Sequence, residues 1–433
     1  MLRLFPLYID PGTGSMLFSI LIGVAATGYF LFRAFIIKIK VFFSGGRASV
    51  NSNALPYVIY CEDKRYVNVF KPVLDEFEKR QIHIEYLSSD PDDPILQCCA
   101  KKGDTDNTDA KENGAPEYQF VNSRFIGQDN KAFAHLNLLN AHVVLMTTPG
   151  LDVYQLKRSK LVKHYSHVLH AASDATMYKM FGIDYFDSIL LTGDYQKDGI
   201  RALEKIRGLP EKELVTVGCS YLDVYEQKMQ AFPKEDNHIF TVLVSPSWGA
   251  SSLLCKFGEK LLDPLVKTGW RIIVRPHPQS KKSEPAVLEK LATKYKDNLQ
   301  WDYERESLAS FTKSDIMLSD FSGIIYDYIF LCNKPVMYVN QNIDMRPYDA
   351  DDLGDDAIST LWQFSVLKTV GIELKEESFE NIDQVITDAV SSGTLKTARN
   401  KAKEDAWQYS GEAGKRIADF MIQKNEACLQ DKK

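Results

Sequence analysis

Two short segments hold the side chains best suited to chemistry. In Arg275-Pro276-His277-Pro278 a histidine stands between two prolines, directly after the β-rich run Trp270–Arg275. Each proline fixes its own φ and restricts the residue before it, so the imidazole is carried on a stiff turn. Open α/β sheets bind ligands outside the carboxyl ends of their strands, and this turn falls at such an end. Arg275 adds a forked donor that suits phosphate. A capped loop with a surface histidine and a structural arginine is the plainer reading of the same residues.

The second segment is Ser319-Asp320-Phe321-Ser322-Gly323, between the strand candidate Asp315–Leu318 and the helix candidate Ser322–Leu331. Ser and Asp are good helix caps. Free N–H groups and the positive end of the helix favour phosphate at this point, and Gly323 lets a ligand approach the backbone. Asp320 opposes a phosphate, so it serves as the cap or binds a hydroxyl. A plain N-cap is the alternative. A further turn, Ser245-Pro246-Ser247-Trp248-Gly249, follows the apolar run 239–246 and brings Ser247 to the same edge. Val217–Asp223 forms another tight turn, more often structural than catalytic.

These turns need strands and helices to position them. Short β-rich runs alternate with helical segments, which implies βαβ units and parallel sheets. Strands are expected at 56–62, 82–87, 142–147, 165–169, 187–191 and 214–217, with a helix over Tyr66–Arg80. A polar stretch, Phe232–His238, marks a boundary. Beyond it strands are expected at 239–246, 270–275, 299–303, 315–318 and 335–339. The tail from Glu380 to Gln423 reads as helices that cross back onto the first half. The reading is α/β: two Rossmann-like halves facing a cleft, the GT-B architecture. It divides the chain into an anchor and linker (1–50), an acceptor-side half (51–235) and a nucleotide-donor half (236–433). Residues 88–117 read as a long surface loop.

Residues 16–37 carry one charge, Arg33. As a helix, 22 residues rise about 33 Å, enough to cross a hydrocarbon core of about 30 Å. Lys38, Lys40 and Arg47 follow it and only Arg3 precedes it, so the body is expected on the cytoplasmic side of the inner membrane, behind a single span. Seven cysteines with no CxxC pair agree with a reducing compartment. The net charge of −6 supplies no field for nucleic acid. The acidic run Asp349–Asp356 matches no calcium loop and reads as a solvated loop. No metal and no cofactor are expected.

The pair RPHP and SDFSGIIYDYIFLCNKPVMYV resembles the C-terminal half of the CDP-glycerol glycerophosphotransferase family of teichoic-acid enzymes, over about residues 140–345. The resemblance implies a GT-B fold and transfer of a polyol phosphate from a CDP-linked donor, with release of CMP. By position, His277 would contact the donor diphosphate and steady the leaving group. Ser319, Ser322 and Gly323 would hold phosphate, with Arg275, Ser247 and Asp320 at the same edge. The family's second histidine lies in a W-H-G-T-like segment, matched here by Val168-Leu169-His170-Ala171-Ala172. His170 would be the general base, although Trp, Gly and Thr are all replaced; His164 and His167 are rivals. The implied acceptor is a cell-envelope glycan or a lipid-linked chain. A nucleotide-sugar glycosyltransferase or epimerase of the same architecture, or a non-catalytic membrane scaffold, would share much of this pattern.

Overall fold

The computed structural model describes residues 54–99, 117–232, 238–339, 344–354 and 360–430. The apolar stretch 16–37, the centre of the long loop (100–116) and the end of the acidic run (355–356) lie outside the described residues. Among the described residues no helix is long and apolar enough to cross a membrane.

Two parallel sheets form the body. The first contains β1 (Leu55–Cys61), β2 (Ile84–Ser88), β3 (Val121–Phe125), β4 (Ala141–Met146), β5 (Val162–Val168), β6 (Ser188–Leu191) and β7 (Glu213–Thr216), in the order β3-β2-β1-β4-β5-β6-β7. The second contains β8 (Thr241–Val244), β9 (Arg271–Val274), β10 (Gln300–Trp301), β11 (Ile316–Ser319), β12 (Val336–Tyr338) and β13 (Ile372–Glu373), in the order β10-β9-β8-β11-β12-β13. Both orders reverse once, between β1 and β4 and between β8 and β11. Such a reversal opens a crevice at the carboxyl edge, where doubly wound sheets bind their ligands. The expected α/β fold of paired parallel sheets is therefore present.

The strands form because their residues suit burial on both faces. In β1, Tyr57, Ile59 and Cys61 enter one core with the helix Val67–Lys79, while Val58 and Tyr60 enter the core on the other face. The period of two in side-chain direction sorts them. Each fully buried Val, Leu or Ile contributes about 1.5–3 kcal/mol. In the second half, Val242, Ile272 and Leu318 lie on one face and Leu243, Ile273 and Met317 on the other. That last core also takes in Ala172, Cys219 and Leu222 from the first half. The two halves thus share an apolar floor. Polar, half-exposed β3 and two-residue β13 carry too little pattern to be read as strands.

The tail crosses back. The helix Ala413–Gln430 places Ile417, Ala418, Phe420 and Met421 in the core beside β1 and β4. Its entry is tight: a Cβ on Gly414 would lie 2.5 Å from the Pro72 carbonyl oxygen. The turn Val217–Asp223 receives the tail. Gly218 has φ +96°, and a Cβ there would lie 2.5 Å from the Gln408 carbonyl oxygen. Asp223 accepts hydrogen bonds from Trp407 Nε1 (2.8 Å), Gly411 N (2.7 Å) and Ala413 N (3.1 Å). This turn is a structural clasp.

In the acidic run Asp351 and Asp352 are exposed as a solvated loop requires, but Asp349 departs from that expectation. Asp349 is fully buried and meets Arg207 at 2.8 Å. A lone basic partner in the other half, far away in sequence, draws it inward.

Candidate active site

The crevice between the sheets is floored by the carboxyl ends of β1, β5, β9 and β11. His170 follows β5 by two residues and is half-buried. Its Nδ1 lies 3.0 Å from Thr147 Oγ1 and 2.9 Å from the Tyr178 hydroxyl. The Tyr66 ring packs against the imidazole, with centroids 5.0 Å apart. Nε2 makes no hydrogen bond among the described residues. Burial, reinforced by the charge of Arg65, pushes the His170 pKa down to about 4. The ring is neutral at pH 7. When Nδ1–H donates to one of the two hydroxyls, the Nε2 lone pair is left for a proton.

His277 stands on the proline-stiffened turn after β9. Its Nδ1 accepts a hydrogen bond from Gln279 N at 3.1 Å. That fixes the neutral tautomer with hydrogen on Nε2. Burial, opposed by Glu284 and aided by Arg65, lowers its pKa to about 4 as well. His277 is thus a neutral donor at pH 7, where His170 is able to be an acceptor. Trp248 lies beside it at 6.3 Å between centroids. His164 and His167 do not share this arrangement: His164 bonds Ser188 Oγ at 3.0 Å, and His167 is fully buried between Tyr178 and Phe186.

The charge of Arg65 bears on both imidazoles, one from each half. Arg65 pairs with Asp63 at 3.1 Å but is 60% exposed. It lines a cleft cavity of about 490 Å³ with Arg275, Pro276 and Pro278 of the His277 turn, and with Tyr221, Tyr225, Lys281 and Arg305. Lys281 and Arg305 have no carboxylate partner among the described residues; Lys281 lies 4.5 Å over the Tyr303 ring. Asp327 sits behind Tyr221, and burial raises its carboxyl to about 7.

The phosphate-type elements separate into free and committed groups. Ser322 is buried, its Oγ has no protein partner among the described residues, and it directly precedes Gly323, the N-cap of the helix Ile324–Cys332. Gly323 has φ −59°, and a Cβ there would meet only Ser173 Cβ, at 3.9 Å, across from the His170 loop. The protein's own backbone does not demand this glycine. The other four candidates have partners within the protein. Asp320 accepts from Ser247 N and Oγ (both 2.9 Å), Leu253 N (2.9 Å), Phe321 N (2.7 Å) and Ser322 N (3.2 Å). It therefore holds two loops together, and Ser247 spends its hydroxyl proton on it. Ser319 Oγ donates to the Ser245 carbonyl at 2.6 Å. Arg275 is buried, pairs with Asp302 at 2.7 Å and donates to the Arg305 carbonyl at 3.1 Å. Among the described residues no group of His, Cys, Asp and Glu side chains is arranged to hold a metal.

The sequence reading missed Arg65, Thr147, Tyr178, Lys281 and Arg305. Arg65 carried one usable signal, its position four residues past β1, beside the reversal of strand order.

Two doubly wound sheets with chemistry-bearing loops at their carboxyl edges define a GT-B-like body. Residues 233–355 match the family described as CDP-Glycerol:Poly(glycerophosphate) glycerophosphotransferase. No curated protein matches the chain by sequence. Among solved structures, the wall teichoic acid polymerase TagF soaked with CDPG is similar at 13% identity and a TM-score of 0.52, over 92% of this chain and 98% of that one. A UDP-GlcNAc 2-epimerase from Neisseria meningitidis bound to UDP-GlcNAc is similar at 13% identity and a TM-score of 0.50, over 85% and 99%. A putative UDP-N-acetylglucosamine 2-epimerase from Listeria monocytogenes reaches a TM-score of 0.54 at 12% identity, over 86% and 98%. At such identities the structures speak for the fold. The family match covers the segment that carries His277 and the Ser322 helix start, so the resemblance read from RPHP and SDFSG is borne out. Residues 233–355 are thus similar to that glycerophosphotransferase family, and the body has the fold of these solved structures.

Proposed function

We propose that this chain transfers a glycerol or ribitol phosphate from a CDP-linked donor to a hydroxyl of a cell-envelope glycan or lipid-linked acceptor, releasing CMP. The observation that carries the reading is the pair of histidines in complementary hydrogen-bond states, one from each half, both under the charge of Arg65. The acceptor hydroxyl attacks the donor's β-phosphorus and its proton passes to His170 Nε2. The bond from that phosphorus to the bridging oxygen breaks. His277 Nε2–H, Ser322 Oγ and the start of the helix Ile324–Cys332 meet the charge that collects on the departing CMP. Arg65 offsets charge on the phosphoryl group in flight. Asp320, Ser247, Ser319 and Arg275 shape the loops that present these groups.

The apolar stretch 16–37 and the basic residues after it support a single membrane span with the body on the cytoplasmic side, where nucleotide-activated donors are made. A lipid-linked acceptor would then lie at the same surface.

The epimerase likeness favours one competing reading, a UDP-sugar enzyme on the same fold. A thermal-shift panel of CDP-glycerol, CDP-ribitol, UDP-N-acetylglucosamine and a GDP-sugar separates the two. Stabilisation by the CDP compounds is expected. Stabilisation by the UDP-sugar alone would transfer the assignment to the epimerase class, and no response to any nucleotide would favour a scaffold.

A further inference from the structure

The hydroxyl of Tyr178 touches His170, and Tyr178 belongs to an irregular stretch after β5; its ring packs on His167 of that strand, but its backbone pairs with no strand of the first sheet among the described residues. A segment of the second half steadies it. Asp349 N donates to the Tyr178 carbonyl at 2.9 Å, and Met180 N donates to the Pro347 carbonyl at 3.0 Å. Lys179 and Tyr348 form an antiparallel bridge between them. Phe181 N donates to Asp349 Oδ1 at 2.6 Å, and Phe181 holds φ +61°, a left-handed conformation costly for a bulky side chain. A strained residue persists only where its surroundings over-determine it.

The fixing point is Arg207, at the end of the helix Gln196–Arg207. Its guanidinium is 8% exposed and meets Asp349 at 2.8 Å, Asp184 at 2.7 Å and Asp352 at 2.7 Å. Asp184 comes from the first half, Asp349 and Asp352 from the second. Three carboxylates on one buried cation leave an excess of negative charge, and Asp349 Oδ2 has no hydrogen-bond partner. Such an arrangement is poor as a source of stability, because removing buried ions from water offsets most of their attraction. It does fix geometry: the segment cannot slide without breaking the fork on Arg207. Val339 N also donates to the Ser319 carbonyl at 3.0 Å, so the chain leading to this segment departs from the edge of the donor-side turn.

We propose that Arg207 and Asp349 form a clamp between the halves that positions His170 through Tyr178, making them positioning residues for the transfer. The proposal rests on His170 being the proton acceptor. The clamp delivers the second half's structure to the first half's base, and the base adopts its working orientation only while the clamp holds.

A double-mutant cycle with Tyr178→Phe and Asp349→Asn in the full chain tests it. Each single variant is expected to lower turnover of CDP-glycerol about tenfold with the donor KM unchanged, the size of loss a small misplacement of a reacting group produces. The double variant is expected to lose no more than either single one, because both act through the same contact. Arg207→Lys, which keeps the charge, is expected to retain more turnover than Arg207→Met. Should Asp349→Asn fail to fold, Arg207→Lys replaces it in the cycle. Independently of turnover, the ¹⁵N imidazole resonances of His170 are expected to shift in Asp349→Asn while those of His277 stay in place. Additive losses, or a His170 signal unmoved in Asp349→Asn, would overturn the clamp. A shifted His170 signal in a protein that never releases CMP would uphold the clamp and sink the transferase reading instead.

Discussion

His277 and His170 differ in one atom's surroundings, and that difference assigns their work. Gln279 N–H occupies Nδ1 of His277 and leaves a donor at Nε2. Two hydroxyls face Nδ1 of His170 and permit a lone pair at Nε2. Replacing His277 by Asn retains a donor, so His277→Asn is expected to keep more activity than His277→Ala, measured as initial rates of CMP release. Both imidazoles titrate near pH 4 because burial disfavours their charged forms. The acid limb of activity is therefore expected near pH 4, below the value of about 6.5 for an exposed histidine. A pH–rate profile with its acid limb near 6.5 would contradict this environment for His170. Stability follows the same sign. His167, lowered to about 3, binds its proton less readily folded than unfolded. Its contribution is whole above pH about 6.5 and is lost as pH falls through the window below that value. Asp349, raised to about 6 by burial, acts in the opposite sense, so the His167 effect is read as a difference. His167→Leu is expected to flatten the loss of stability between pH 7 and pH 5, compared by denaturant midpoints with the parent protein.

At the scale of elements, the carboxyl ends of strands explain what was legible. Alternating and fully apolar runs exposed most strands of both sheets, because parallel strands bury both faces and leave a strong signal. The residues at their ends could then be placed at the crevice. What those residues do there was legible only in part. Asp320 looked like the cap of its own helix, but Gly323 holds that position without a side-chain cap; the Ser247 turn that Asp320 holds lies 73 residues away in sequence and leaves no local trace. Arg275 looked like a phosphate donor because its buried partner Asp302 belongs to the next strand's loop. Arg65 looked like one charge in a charged stretch until tertiary folding set its charge on two histidines from different halves. The Val217–Asp223 turn shows the same lesson in reverse, since its apparent cleft motif is the receptor of the tail. Asp223→Ala leaves three donors without an acceptor and is expected to destabilise the chain by about 2–4 kcal/mol, with little change in the donor KM of the folded fraction. Equal denaturation midpoints for the variant and the parent would contradict the clasp.

The whole molecule is two sheets that share an apolar floor, cross-tied by a tail that returns to the first half and by a buried ion cluster behind the base. These ties hold the crevice and its cavity of about 490 Å³, lined from the first half by Arg65 and from the second by Pro276 and Pro278, which flank His277. The chain's net charge is −6, while the cations that matter, Arg65, Lys281 and Arg305, gather in the cleft. A membrane span at residues 16–37 would place that cleft within reach of a lipid-linked acceptor; truncation before residue 51 is expected to release the body from sedimenting membranes, and a truncated chain that still sediments would count against the anchor. The central claim, that the crevice transfers a polyol phosphate, is tested most directly by incubating the full chain with CDP-glycerol and membranes and measuring CMP. The account predicts CMP release that falls at least about 100-fold in His277→Ala, the loss expected when a donor to developing charge is removed. Equal release by His277→Ala and the parent protein would contradict it.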